Sequence, residues 1–343
     1  MPQESRFQIL ALSGGGYRGL YTAEVLRLLE AKTGGRIAKH FDLICGTSIG
    51  GITALALALE IPAANIAKVF VDEGETIFGG PGMQRRLRRG LWPKWLDKLC
   101  PIGMNKAIHS NDHLRAVLAN KDFFGDQVLG QCIHPVIVPT VNFTTAVPQL
   151  FKTGHHDSFE RDHLLSLVDI ALATSAAPVY FPQHRFNNKV YVDGGLVANG
   201  PAMFGVHEAE HFLKIPIENI RVLAIGTLQI DSTASASDPL SRGIRQWGKD
   251  LFTLTIAAQE RALNQIVEHR LGERFLPIND KLTQNQVKDV GLNLADAQAR
   301  QTLLGHADNS YQNALKAGIE ARFLDHVAPA ARFFHGPHAR TTR

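Results

Sequence analysis

The chain reads as an α/β protein, a three-layer α/β/α arrangement with a mostly parallel central sheet. Three observations predict it. Short apolar runs alternate with helix-length segments through the first half. Glycine-rich turns fall where those runs end. One helix, beginning at Ile49, is apolar almost all round and so belongs in the interior. Phe7 to Leu12 is a short buried strand, followed by the cluster Ser13 to Gly16. A helix then runs from about Arg18 to Lys32, with Leu20, Val25, Leu28 and Leu29 near helical spacing, and Gly34 and Gly35 end it. Phe41 to Cys45 is the second strand, turning at Gly46 to Ser48 into the apolar helix. Later strands are expected at 134–141, 190–192, 221–225 and 274–278, and helices at 164–174, 201–213, 251–271 and 296–317. Residues 231–239 (D-S-T-A-S-A-S-D-P) form a surface loop by composition, and 329–343 read as a frayed basic tail.

With 343 residues, 45% of them hydrophobic and 20% charged, the chain can bury a large core, which excludes disordered, collagen-like and coiled-coil proteins. The length suits two domains or one large one, and no composition break or internal repeat divides it. Lys and Arg number 36 against 32 Asp and Glu, leaving +4, which permits attraction to phosphates or an anionic membrane without requiring it. Cys45, Cys100 and Cys132 are too few and too far apart for a disulfide framework or zinc cluster, and read as thiols in a reducing compartment. Met1 to Arg6 lacks the basic-then-apolar order of a signal peptide. The longest apolar run, Ile49 to Leu59, falls short of the ~20 residues that cross a bilayer. A cytoplasmic protein is expected.

Gly46-Thr47-Ser48-Ile49-Gly50 is a G-x-S-x-G sequence between a predicted strand and a predicted helix. That context exposes a serine oxygen on a sharp turn, and the helix N-terminus puts a positive dipole end beside it. Gly14-Gly15-Gly16-Tyr17-Arg18-Gly19 follows the first strand. Consecutive glycines free backbone N–H groups to point at one spot, suited to a phosphate or to the oxyanion of acyl transfer. Gly14, Gly16 and Gly19 also spell G-x-G-x-x-G, a dinucleotide fingerprint. That reading wants an acidic residue at the end of the second strand, and Asp42 comes too early in it. A nucleophilic serine needs a base. None of the 15 histidines has an obvious catalytic setting, whereas Asp193-Gly194-Gly195 follows the strand Val190-Tyr191-Val192 and places Asp193 at a strand end. Taken alone, D-G-G is also an ordinary turn.

G-G-G-Y-R-G, G-T-S-I-G and D-G-G in this order, with Ala173-Thr174-Ser175-Ala176-Ala177-Pro178-Val179-Tyr180-Phe181-Pro182 before the aspartate, resemble the patatin-like phospholipases. The resemblance spans roughly residues 7–230 and extends to about 320. It implies a patatin-like domain over 1–325, with all catalytic motifs in 7–230, a mainly helical part over 240–325 and a basic tail at 326–343. It also implies a Ser–Asp dyad without a catalytic histidine: Ser48 as nucleophile, Asp193 as base, and Gly14, Gly15, Gly16 and Arg18 as the oxyanion loop, with neither metal nor cofactor. Gly46 and Gly50 flank the serine. One departure stands out. Asn199-Gly200-Pro201 replaces the more usual N-N-P, with Asn199 expected to cap the following helix and Pro201 to sit in its first turn. More narrowly, S-G-G-G-Y-R-G-L-Y-T-A-E-V-L is similar to the bacterial patatin-like effectors of cyclic-nucleotide antiphage defence. That likeness implies membrane phospholipids as substrate at the inner membrane surface, a cyclic dinucleotide as activator, and activation through a change of oligomeric state. A housekeeping lipid esterase and a catalytically idle nucleotide-binding scaffold are the alternatives.

Three further patterns need a reading. His207-Glu208-Ala209-Glu210-His211 matches the H-E-x-x-H of zinc hydrolases. It also continues a helix whose buried face would be Met203, Val206, Ala209 and Leu213, with the His and Glu residues on the polar side. His109 and His113 flank Asp112 on an expected solvated helix face. Arg85, Arg86, Arg88 and Arg89, followed by Trp92 and Trp95, form either a solvated loop or a contact for lipid headgroups or a phosphate-bearing ligand. No segment resembles a nucleic-acid-binding module.

Overall fold

A computed structural model describes residues 6–78, 107–229, 241, 244–283 and 285–339. Its eight strands are β1 (Phe7–Leu12), β2 (Leu43–Gly46), β3 (Val136–Asn142), β4 (Val147–Lys152), β5 (His184–Phe186), β6 (Lys189–Asp193), β7 (Ile220–Ile225) and β8 (Phe275–Ile278). They form one sheet in the order β5-β6-β3-β2-β1-β7-β8, with β4 paired to β3. The five strands β3, β2, β1, β7 and β8 run parallel, and β4, β5 and β6 add antiparallel pairings at one side.

The register around β3 builds the site. Ile137 pairs with both Cys45 of β2 and Lys152 of β4, whereas Thr140 pairs with both Asp193 of β6 and Gln149 of β4. A strand has two edges, so β4 takes one, and β2 and β6 share the other in succession. Because β2 is parallel to β3 and β6 antiparallel, the C-terminal ends of β2 and β6 meet midway along β3.

Side chains of β1 alternate between two cores, as a period of two requires. Leu10 and Leu12 face a core that holds α1 (Gly19–Thr33), α2 (Ile49–Ala58), α3 (Ala63–Phe78), α4 (Asp112–Leu118), α5 (Leu167–Thr174) and α9 (Ala297–Lys316). Ile9 and Ala11 face a second core with Ala202 and Val206 of α7 (Ala202–His207) and Val267 and Leu271 of α8 (Ile244–Leu271). Between β6 and α7 lies the single turn α6 (Gly195–Ala198). The three layers match the expected fold class. All ten residues of α2 are buried, as its apolar surface foretold.

Some elements differ from expectation. The amphipathic α3, with Ile66, Ala67, Phe70, Ile77 and Phe78 buried, and the short strands β4 and β5 were not anticipated. The long helix α8 begins at Ile244, earlier than expected. The C-terminal segment is not frayed as far as residue 339: Phe333 is buried, Ala328 N–H donates to the Lys39 carbonyl (2.8 Å), and Phe334 N–H donates to the Gly154 carbonyl (2.7 Å). The loop expected at 231–239 lies outside the described residues. Among the described residues, no helix is long and apolar enough to cross a membrane.

Candidate active site

Ser48 occupies the turn between β2 and α2 at φ 56° and ψ −125°, a conformation rare for a residue with a side chain. The turn is tight: a Cβ on Gly46 would lie 2.1 Å from the Gly50 carbonyl oxygen, and one on Gly50 would lie 2.3 Å from that of Leu12. The glycines of the motif are therefore required by close backbone approach. Three anchors hold the strained residue. Its N–H donates to Thr174 Oγ1 (3.0 Å), its carbonyl accepts from the N–H groups of Gly51 (2.9 Å) and Ile52 (3.1 Å), and the neighbouring Thr47 hydroxyl donates to the Ala198 carbonyl (2.5 Å).

The meeting of β2 and β6 brings Asp193 to Ser48. The Ser48 hydroxyl donates to Asp193 Oδ2 at 2.7 Å, and Asp193 Oδ1 accepts the Gly195 N–H at 2.7 Å. The Ala173–Pro182 segment has a visible task here. Its Thr174 and Ala176 carbonyls accept the N–H groups of Gly194 (3.2 Å) and Asp193 (3.0 Å) and so fix the aspartate's backbone. Asp193 is only 2% exposed. Burial pushes its carboxyl from the ordinary 3.8 up to about 7, against the opposing pull of the Gly195 N–H and the Ser48 hydroxyl.

Two consequences of opposite sign follow. A base must be ionised, so with Asp193 as base turnover is expected to rise with pH through about 7 and to fall roughly tenfold per pH unit below it. The fold prefers the neutral carboxyl: the stability this favours is fully present below the ordinary 3.8 and is lost as pH rises through about 7. Asp193→Asn is therefore expected to abolish turnover yet melt above the wild type at pH above about 7, with the difference shrinking toward pH 4. Thermal melts and rates across that range check both.

The four expected oxyanion residues take different parts. The Gly14 N–H is engaged by the Asn199 carbonyl (3.0 Å), so Gly14 is not a free donor, contrary to expectation. Gly15 and Gly16 keep N–H groups that no carbonyl of the described residues engages. Arg18 is not aimed as a separate donor. Its guanidinium braces the loop, donating to the carbonyls of Gly15 (3.4 Å) and Leu228 (3.2 Å). Burial pulls its pKa down, while the nearby Glu260 carboxylate raises it.

These residues line a cleft whose walls are largely apolar, including Ile52, Phe78, Leu114, Phe181, Phe252 and Ile256. A smaller apolar pocket adjoins it and shares Ile49, Ile52, Phe78 and Leu114. Among the described residues, no histidine lines the cleft.

Other expectations change. Asn199 does not cap α7, which starts at Ala202 after Pro201; its side chain instead donates to the Gly14 carbonyl (3.3 Å) and to Glu260 Oε2 (2.6 Å). Glu208 is not on a polar face. It is fully buried, paired with Lys152 (2.5 Å) and His155 (3.1 Å), in a single π-helical turn over Glu208–Phe212, while His207 and His211 stack on the surface. His109 is buried against Phe181 rather than solvated, and His113 pairs with Glu73 (2.8 Å). Cys45 and Cys132 are buried free thiols, both pushed up by desolvation. Cys100 and the run Arg85, Arg86, Arg88 and Arg89 lie outside the described residues. Thr227, whose hydroxyl holds the Gly14 carbonyl at 2.8 Å, and Glu260 were missed altogether.

A serine on a strand-to-helix turn, hydrogen-bonded to a buried aspartate beside loop amides that no carbonyl of the described residues engages, is the arrangement of a serine hydrolase. The family model described as "Patatin-like phospholipase" matches residues 10–205, and the chain belongs to that family. A "cGAMP-activated phospholipase" of Pseudomonas aeruginosa is 44% identical over 97% of this chain and 96% of its own length. One of Vibrio cholerae is 32% identical over 88% and 89%. Among solved structures, VipD from Legionella pneumophila is similar over 89% of this chain and 67% of its own, at 14% identity and a TM-score of 0.43.

Proposed function

We propose that the chain is a lipid acyl hydrolase of phospholipase A type that cleaves acyl esters of membrane phospholipids and is switched on by a cyclic dinucleotide, as a cytoplasmic effector of bacterial antiviral defence acting at the inner membrane surface. The observation that carries the hydrolase is the 2.7 Å bond between Ser48 Oγ and Asp193 Oδ2 at an apolar-walled cleft. Asp193 takes the Ser48 proton, and the serine oxygen attacks the ester carbonyl. The Gly15 and Gly16 N–H groups receive the charge that develops on the carbonyl oxygen. Asp193 returns the proton to the leaving alcohol, and water cleaves the acyl-enzyme with Asp193 again as base. The apolar walls suit a fatty chain.

Regulation is supported by the names of the relatives and by a physical requirement. A lipase surrounded by its own cell's membranes must rest in a weakly active state. A ligand activates it only by binding the competent state more tightly, and about 100-fold activation needs about 2.7 kcal/mol of differential affinity. Purified protein with phospholipid vesicles is expected to release fatty acid when micromolar cyclic dinucleotide, cGAMP among a panel, is added. Sedimentation would report a change of oligomeric state. Full hydrolysis without nucleotide, unchanged across the panel, would leave a plain lipid esterase.

The Arg85, Arg86, Arg88 and Arg89 run is the proposed contact for anionic headgroups or the activator's phosphates. Replacing all four with Glu is expected to weaken vesicle or nucleotide binding while sparing hydrolysis of a small soluble ester. Unchanged binding would return the run to an ordinary loop.

A further inference from the structure

We infer that Glu260 is a positioning residue: from the middle of α8 it sets the oxyanion loop through Ser13 and Asn199. The inference rests on the Ser–Asp reading above. Glu260 Oε1 accepts from the Ser13 hydroxyl at 2.7 Å, and Oε2 accepts from Asn199 Nδ2 at 2.6 Å. Asn199 is held a second time by α8, because its N–H donates to Gln259 Oε1 at 3.0 Å.

Asn199 in turn grips both ends of Gly14. Its carbonyl accepts the Gly14 N–H (3.0 Å), and its side-chain amide donates to the Gly14 carbonyl (3.3 Å), which Thr227 Oγ1 also holds (2.8 Å). The Gly14 carbonyl and the Gly15 N–H belong to one planar trans peptide and point in opposite directions. Fixing the carbonyl on Asn199 and Thr227 therefore aims the Gly15 N–H away from them. The route from Glu260 to the donor is short: carboxylate, Asn199 amide, Gly14 carbonyl, peptide plane, Gly15 N–H. Glycine has no side chain of its own to restrain it, so a run of three needs outside restraint to hold one geometry. Ser13 and Asn199 are 5% and 3% exposed, and Glu260 is half-buried at the wall of the cleft.

The test measures kcat and KM for p-nitrophenyl butyrate, and the rate at which a phosphonofluoridate labels Ser48, in wild type, Ser48→Ala, Glu260→Ala, Glu260→Gln and Glu260→Asp. Glu260→Ala is expected to lower kcat about 10- to 100-fold, the scale of a misplaced catalytic group, with KM within about twofold. Labelling should also slow, since the phosphoryl oxygen gathers charge against the same donors. The pH limb near 7 should stay in place, because Asp193 is untouched. Glu260→Gln is expected to stay near wild type: its oxygen can accept from Asn199 while its amide donates to a rotated Ser13 hydroxyl. Glu260→Asp, too short to reach both partners, should lose activity, and it carries the test if Glu260→Ala does not fold. Wild-type kcat in Glu260→Ala, a loss in KM alone, or Glu260→Gln as damaged as Glu260→Ala would each overturn the inference. If Ser48→Ala hydrolyses the ester like wild type, it is the Ser–Asp reading that has failed. Unaltered Glu260→Ala beside an inert Ser48→Ala rejects only the role of Glu260.

Discussion

Ser48→Ala and Asp193→Ala are each expected to lower ester hydrolysis by about 10⁴-fold or more, and the double variant no further, because nucleophile and base act as one unit. Both residues sit in anchored backbone: Ser48 through Thr174, Gly51 and Ile52, and Asp193 through Ala176. Neither substitution removes those backbone bonds, so circular dichroism and thermal melting should report folded protein. Substantial turnover by either folded single variant would refute the pair. An additive double variant would mean that the two residues act in separate steps.

The second large effect is expected at the glycine loop. A Cβ on Gly15 would lie 2.2 Å from Thr227 Oγ1, the hydroxyl that holds the Gly14 carbonyl. Gly15→Ala therefore displaces the restraint and re-aims the donor together. Gly16 has φ +58°, and its Cβ would lie 2.2 Å from the Leu292 carbonyl oxygen, which accepts the Tyr17 N–H. Alanine there adds about 1–3 kcal/mol of backbone strain to the clash. Loss of one oxyanion donor costs about 10²–10³ in kcat, and each variant should lose at least ~10²-fold. Steady-state kinetics on a soluble ester read this directly, and kcat within a few-fold of wild type would exclude both amides from the reaction.

The pieces that could be read in advance were local. Ser48 lies at a strand–turn–helix junction and Asp193 at a strand end, and both are marked by adjacent glycines. Asn199 and Thr227 also stand beside glycines, Gly200 and Gly226, but nothing local names Gly14 as their partner, and Glu260 has no such mark. Asn199 and Glu260 are 61 positions apart in sequence, and only the laying of α8 beside Asn199 makes them partners. Glu208 shows the reverse failure. The expected buried face put it on the polar side, but Gly205, Val206, Glu208 and Ala209 are buried together, and Lys152 and His155 meet its carboxylate there. The strand β4 was hidden by Pro148 and by an exposed first half. The C-terminal segment is held by single contacts such as Phe333, with no periodicity to announce them.

The end-to-end junction of β2 and β6 on β3 has a consequence for synthesis. Ser48 and Asp193 are 145 residues apart in the chain, and their encounter requires β6 to have docked in the space that β2 leaves free. A ribosome that has released only the serine elbow has made a nucleophile without its base. The pair is thus completed only when β6 docks on β3, and a chain that ends before Asp193 carries the serine elbow without its partner.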